Sequence, residues 1–149
     1  MLKGLKAAFS FACSESLGKD GLYMKIEDMT VLICDDSMFA RKSLCMFIAT
    51  LGIKNVHEAA DGREAVEKFK EVKPDAVFMD IVMPVVTGID ALKQIKESDP
   101  DAKVIMASSV GTQSHLKDAI KAGAYDFLQK PIANDQVKKT LENIAKEAD

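Results

Sequence analysis

From Thr30 onward the chain alternates short apolar runs with longer stretches in which apolar residues recur every three or four positions. The short runs are TVLIC (30–34), NVHEA (55–59), AVFMD (76–80), KVIMAS (103–108) and YDFLQ (125–129). The first, third and fourth are continuously apolar, as central strands covered on both faces must be. NVHEA interleaves polar residues and predicts an edge strand, and the short YDFLQ predicts the opposite edge.

The longer stretches carry helix signals. Ser37 is a good N-cap ahead of Leu44, Phe47, Ile48 and Leu51, and Gly52 stands where a left-handed cap would end that helix. Asp61 with Glu64 three positions on resembles a capping box, followed by Val66, Phe69 and Val72. Ile89, Leu92 and Ile95 mark a third helix. Leu116, Ala119 and Ile120 mark a fourth, started by Thr112 and stopped by Gly123. Asn134 is read as the cap of a fifth, with Val137, Leu141, Ile144 and Ala145 facing inward. Strands alternating with amphipathic helices predict an α/β fold with a parallel sheet, and these apolar stripes predict its core.

Five such units occupy the sequence to its end, so residues 24–149 read as one domain. Residues 1–23 have a different texture and read as an N-terminal extension, flexible or forming a short helix; the domain pattern begins near Met24, itself a candidate start. The apolar patch after Lys3 and Lys6 is too brief for a convincing signal peptide, and no run approaches the roughly 20 apolar residues of a membrane span.

Composition narrows the function classes. With 149 residues, 48% hydrophobic and 29% charged, the chain can bury a real core, which excludes disorder and collagen. A net charge of -3 gives no strong field toward nucleic acid or an anionic membrane. Cys13, Cys34 and Cys45 have no metal-ligand spacing, and their odd number argues against a disulfide framework; reduced thiols in a cytoplasmic protein are expected, with Cys34 and Cys45 as small core residues. His57 and His115 lack a neighbouring metal-binding partner and are expected at the surface.

The chemistry gathers at the strand ends. In an open parallel sheet the C-terminal ends share one edge, where ligands bind. Asp35 and Asp36 follow the first strand, Asp80 closes the third, Ser108 and Ser109 end the fourth, and Lys130 with Pro131 follows the fifth. Taken alone, Asp35-Asp36 is an ordinary solvated turn, but three convergent carboxylates repel unless a hard cation relieves them, and Mg²⁺ favours oxygen ligands. Such a site makes Asp80 a candidate phosphoryl acceptor, with Lys130 and Ser108 able to neutralise and hydrogen-bond phosphoryl oxygens.

The runs VLICDDS, MDIVMPVVTGIDAL, VIMASS and DFLQKPI resemble the receiver domain of two-component response regulators, in order and interval, from Thr30 to the C-terminus. The nearest type is the single-domain, CheY-like chemotaxis receiver. The resemblance implies a doubly wound five-stranded parallel sheet of order 2-1-3-4-5, flavodoxin-like, with helices on both faces; the strand order comes from the resemblance alone, since the spacing of the runs does not fix it. It implies Asp80 as phosphoacceptor, and Mg²⁺ (or Mn²⁺) held by Asp35, Asp36, Asp80 and the backbone carbonyl of Val82, with Asp35 acting mainly through a metal-bound water. It implies Lys130 and Ser108 as its helpers, Ser108 and Phe127 as the moving switch pair, and a cis bond before Pro131.

The implied partners are a histidine kinase or phosphotransfer histidine protein upstream, and downstream a separate reader of the surface formed by the fourth helix, fifth strand and fifth helix. A flagellar motor switch would be that reader in chemotaxis; a phosphorelay intermediate is the alternative. The implied catalysis is self-phosphorylation and slow autodephosphorylation. Val82 and Val110, two positions after Asp80 and Ser108, stand where many members carry polar groups that orient attacking water, so slow dephosphorylation is expected.

Two rivals fit less well. A haloacid-dehalogenase-like phosphatase needs Asp-x-Asp after the first strand, whereas these acids are adjacent. A flavodoxin needs a phosphate-holding loop there, and two carboxylates would repel phosphate.

Overall fold

A computed structural model describes residues 24–109 and 113–147. Five strands, β1 (Thr30–Cys34), β2 (Asn55–Ala59), β3 (Ala76–Asp80), β4 (Val104–Ser108) and β5 (Asp126–Gln129), form one sheet of order β2-β1-β3-β4-β5. All four pairings are parallel. The helices are α1 (Met38–Thr50), α2 (Gly62–Val72), α3 (Gly88–Ser98), α4 (Gln113–Lys121) and α5 (Asn134–Glu147). The chain is thus a doubly wound, flavodoxin-like α/β sheet, with the polar run β2 and the short run β5 at its edges as the sequence predicts.

The winding follows from handedness. After β1 the chain steps to β2 on one side, then returns past β1 to β3 and continues outward through β4 to β5. Right-handed crossovers in opposite directions must use opposite faces, so α1 lies on one face and α2, α3 and α4 on the other. The order therefore reverses between β1 and β3, which places the crevice of the sheet at the ends of those two strands.

Side-chain alternation splits the core accordingly. Val31, Ile33, Phe78, Ile105 and Leu128 pack with Ile48 of α1 and Val137, Leu141 and Ile144 of α5. Leu32, Cys34, Val77, Met79, Val104 and Met106 pack with Val66 and Phe69 of α2, Leu92 and Ile95 of α3 and Ala119 of α4. Burial on both faces is why these strands are apolar at every position.

The caps agree in detail. The Ser37 hydroxyl accepts from the Ala40 amide at 3.2 Å, and Asp61 accepts from the Glu64 amide at 2.8 Å. Glu64 reaches back to the Ala60 amide at 2.8 Å, completing a reciprocal cap one residue beyond the usual partner. Gly52 and Gly123 both have positive φ, as their positions after α1 and α4 require.

Some expectations change. Asn134 is the first residue of α5 instead of its cap, and the Ala133 carbonyl accepts from the Gln136 and Val137 amides. Ile120 is 62% exposed: α4 turns Ala119 inward and leaves Ile120 on the outer side of a short helix that no described element covers. His57 and His115 are half-buried instead of surface residues, because β2 and α4 each pack along one side. Cys45 is only half-buried. Thr112 and the extension 1–23 lie outside the described residues. Among the described residues no helix is long and apolar enough to cross a membrane.

Candidate functional site

At the reversal of strand order, Asp35 is buried, Asp36 is exposed and Asp80 is half-buried, each offering a carboxylate oxygen within 4.8 Å of the others. Asp35 continues the β1 pairing: its amide donates to the Ala59 carbonyl at 3.1 Å. Its Oδ1 accepts from the Ser37 amide at 2.9 Å, so the acid also shapes the entry to α1. Lys130 joins from the end of β5, with Nζ 2.5 Å from Asp35 Oδ2 and 3.5 Å from Asp80 Oδ2.

Local packing forces this arrangement. The Lys130 amide donates to the Ser108 carbonyl at 2.8 Å, which ties the β5 exit to the end of β4. The Lys130–Pro131 peptide is cis. The Ile81 amide donates to the Ala107 carbonyl, and the Gly88 amide to the Ile81 carbonyl, so the segment after Asp80 folds back beneath α3. A Cβ at Gly88 would lie 2.0 Å from the Asp80 carbonyl oxygen; only glycine lets the α3 N-terminus approach this backbone.

The electrostatics are strained in the direction a cation would relieve. Two unit charges within 4.8 Å of each other at an effective dielectric of about 20 repel by roughly 3 kcal/mol or more. Burial pushes the Asp80 carboxyl above the usual range; Lys130 opposes that rise, whereas the charges of Asp35 and Asp36 add to it. Burial alone would lower the Lys130 ammonium, but its hydrogen bond to Asp35 and the charges of Asp80 and Asp35 outweigh it and hold the group above the ordinary lysine value. One lysine therefore serves two acids, with Asp36 left toward solvent. Oxygen donors grouped this closely, one of them exposed, suit a hard divalent cation better than a soft one.

The remaining residues named from the sequence fall as follows. Ser108 is 1% exposed at the end of β4, and Ser109 is exposed beyond it. Val82 stands two residues past Asp80, 60% exposed. Phe127 is half-buried on β5 against the α2–α3–α4 core layer, on the opposite face from α1 and α5. Val110 lies outside the described residues. Beside Asp80 and Lys130, a pocket of about 310 Å³ opens between α1 and the β5–α5 connection, walled by Phe39, Leu44, Ile132 and Phe78.

Two residues beside the acids, Arg41 and Glu58, had no motif to mark them. Arg41 Nη1 donates to the Asp35 carbonyl at 2.7 Å, and its Nε to Glu58 Oε1 at 2.9 Å. These residues are 17 positions apart, on α1 and β2, and the only sequence signal was a pair of opposite charges flanking the acidic strand end.

Comparison with known proteins agrees with this geometry. The model of the "Response regulator receiver domain" family matches residues 31–142. The chain is 49% identical over 116 residues to the chemotaxis protein CheY of Thermotoga maritima, covering 78% of this chain and 97% of that one. It is 47% identical over 111 residues to CheY of Bacillus subtilis, covering 74% and 92%. Among solved structures, the CheX–CheY–BeF3–Mg complex from Borrelia burgdorferi matches with a TM-score of 0.75 and 34% identity, covering 88% of this chain and 96% of that one. A winding reversal that collects three carboxylates and a lysine, carried on a sequence matched from β1 into α5, leads to one conclusion: the chain belongs to the response regulator receiver domain family and is of the CheY-like type.

Proposed function

We propose that the chain is a phosphorylation-operated signalling switch in which Asp80 accepts a phosphoryl group from the phosphohistidine of a histidine kinase or phosphotransfer histidine protein. The observation that carries this reading is the grouping of Asp35, Asp36 and Asp80 around a shared space with Lys130 bridging two of them. A chain with no use for that space would not keep mutually repelling carboxylates at one strand edge.

The residues suited to hold Mg²⁺ (or Mn²⁺) are Asp35, Asp36 and Asp80, together with the Val82 carbonyl. When bound, the cation supplies charge neutralisation that lets a dianionic phosphoryl group approach a carboxylate. A carboxylate oxygen of Asp80 then attacks phosphorus, the P–N bond to the donor imidazole breaks, and the imidazole leaves with its electron pair. Lys130 is within reach of both acids and can swing its ammonium from Asp35 toward a phosphoryl oxygen. The pocket between α1 and the β5–α5 connection leaves one side of Asp80 open to a donor.

The signal travels through groups already at the site. Ser108 is buried at the end of β4 and turns its hydroxyl toward the new charge; Phe127, on the neighbouring strand β5, follows, altering the surface of α4, β5 and α5. The reader of that surface is a separate cytoplasmic protein, and the resemblance to chemotaxis proteins favours a flagellar motor switch. Beryllofluoride with Mg²⁺ tests the switch: amide resonances of α4, β5 and α5 should shift in wild type and stay fixed in Asp80→Asn. Shifts confined to the acid cluster would refute the transmitted change.

A further inference from the structure

Asp35 is held at every polar atom it has, and one of these contacts fixes the peptide that joins it to Asp36. The Asp35 amide is bonded to Ala59, and its two carboxylate oxygens to the Ser37 amide and Lys130. The remaining polar atom, its carbonyl oxygen, accepts from Arg41 Nη1 at 2.7 Å. The Arg41 side chain is only 14% exposed, and its Nε is anchored 2.9 Å from Glu58 Oε1. Lys42 Nζ lies 2.9 Å from the other Glu58 oxygen. A planar guanidinium can reach a carbonyl and a carboxylate at once, which a lysine ammonium on a flexible stem does not reproduce.

We infer that Arg41, anchored by Glu58, is a positioning residue for cation capture: it holds the Asp35–Asp36 peptide plane and so aims the exposed Asp36 carboxylate at Asp35 and Asp80. The inference rests on the cation-dependent switch proposed above. Charge alone would argue against an arginine here, because a positive group beside a cation site repels the cation. Glu58, shared with Lys42, offsets only part of that charge, so what Arg41 contributes in favour of the cation is geometry. Partners one layer outside a metal's ligands commonly change its affinity by about 10- to 100-fold when removed.

The two effects have opposite signs, which makes them separable. Mg²⁺ binding is measured by titration calorimetry at fixed ionic strength on wild type, Arg41→Gln, Arg41→Lys, Glu58→Gln and the Arg41→Gln/Glu58→Gln double variant, with urea unfolding measured alongside. Positioning predicts Kd about 10-fold weaker in both Arg41 variants, charge retained or not. It predicts weaker binding in Glu58→Gln, and a double variant no worse than Arg41→Gln because the pair acts as a unit. Tighter binding in Arg41→Gln, or unchanged binding with lowered stability, would overturn the inference while leaving the switch intact. A wild type that binds no Mg²⁺ would overturn both. Should the Arg41 variants not fold, Glu58→Gln is titrated at low and at high ionic strength, because loss of its negative charge would itself weaken cation binding: a weakening that persists at high salt supports positioning, and one that disappears there overturns it.

Discussion

Val85 sits in the connection between Asp80 and α3 with φ of 70°, a conformation that a β-branched residue rarely adopts. The Val86 amide donates to the Pro84 carbonyl at 2.8 Å, closing a three-residue turn around Val85. Such a turn with positive φ at its centre is uncommon and strained. Such a sparsely populated backbone conformation costs a non-glycine residue of order 1–3 kcal/mol, and asparagine is several-fold enriched among residues with positive φ. Little is lost in exchange: Val85 is 75% exposed, so its remaining burial is worth a few tenths of the roughly 1.5–3 kcal/mol of a fully buried valine. Val85→Asn should therefore stabilise the fold by about 0.5–1 kcal/mol, raising Tm by roughly 2 °C in a domain of this size. Val85→Gly should gain less, because glycine's extra freedom in the unfolded chain costs about 0.5–1 kcal/mol. The chain has no tryptophan, so urea unfolding is followed by circular dichroism, comparing midpoints at equal slope. If both variants unfold earlier than wild type, the strain assigned to this turn is wrong.

Other expectations follow from the same geometry. Val82→Asn should shorten the aspartyl-phosphate lifetime, measured by loss of radiolabel from purified phosphoprotein, because it supplies a polar side chain to orient water near Asp80; an unchanged or longer lifetime would count against that role. Gly88→Ala should lose at least 1 kcal/mol of stability in urea, since its Cβ would need to displace the Asp80 carbonyl from 2.0 Å. Tyr125 donates to Glu147 Oε2 at 2.8 Å, and burial, that hydrogen bond and the nearby carboxylates push its phenol up to about 12. Because the folded value is raised, its stabilising contribution is complete below pH 10 and disappears as pH rises through about 12. Ultraviolet titration should show a tyrosinate step near 12 that Tyr125→Phe removes.

What the sequence revealed, and what it concealed, divides along physical lines. Val31 to Cys34 and Val104 to Ala107 were legible as strands because burial on both faces leaves an unbroken apolar run. The acid cluster was legible because a parallel sheet delivers all its strand exits to one edge, so Asp36, Asp80 and Lys130 could be associated without knowing a single distance. Ile120 was misplaced because periodicity finds the apolar side of a helix but not how wide a stripe its neighbours cover. The Arg41–Glu58 pair and the φ of Val85 had no local signature; each depends on how one element is pressed against another. The contact between Gly88 and the Asp80 carbonyl belongs to the same group, since it arises only when α3 packs beneath β3.

Everything proposed for the switch depends on Asp80 being the acceptor and on the surrounding acids serving it through a cation. Purified protein is incubated with a small-molecule phosphodonor, with Mg²⁺ or with excess chelator, and its intact mass is read for wild type and Asp80→Asn. One added phosphoryl group is expected in wild type with Mg²⁺, and none with chelator or in the variant. Wild type that stays unmodified, or Asp80→Asn modified to the same extent, would show that Asp80 is not the acceptor.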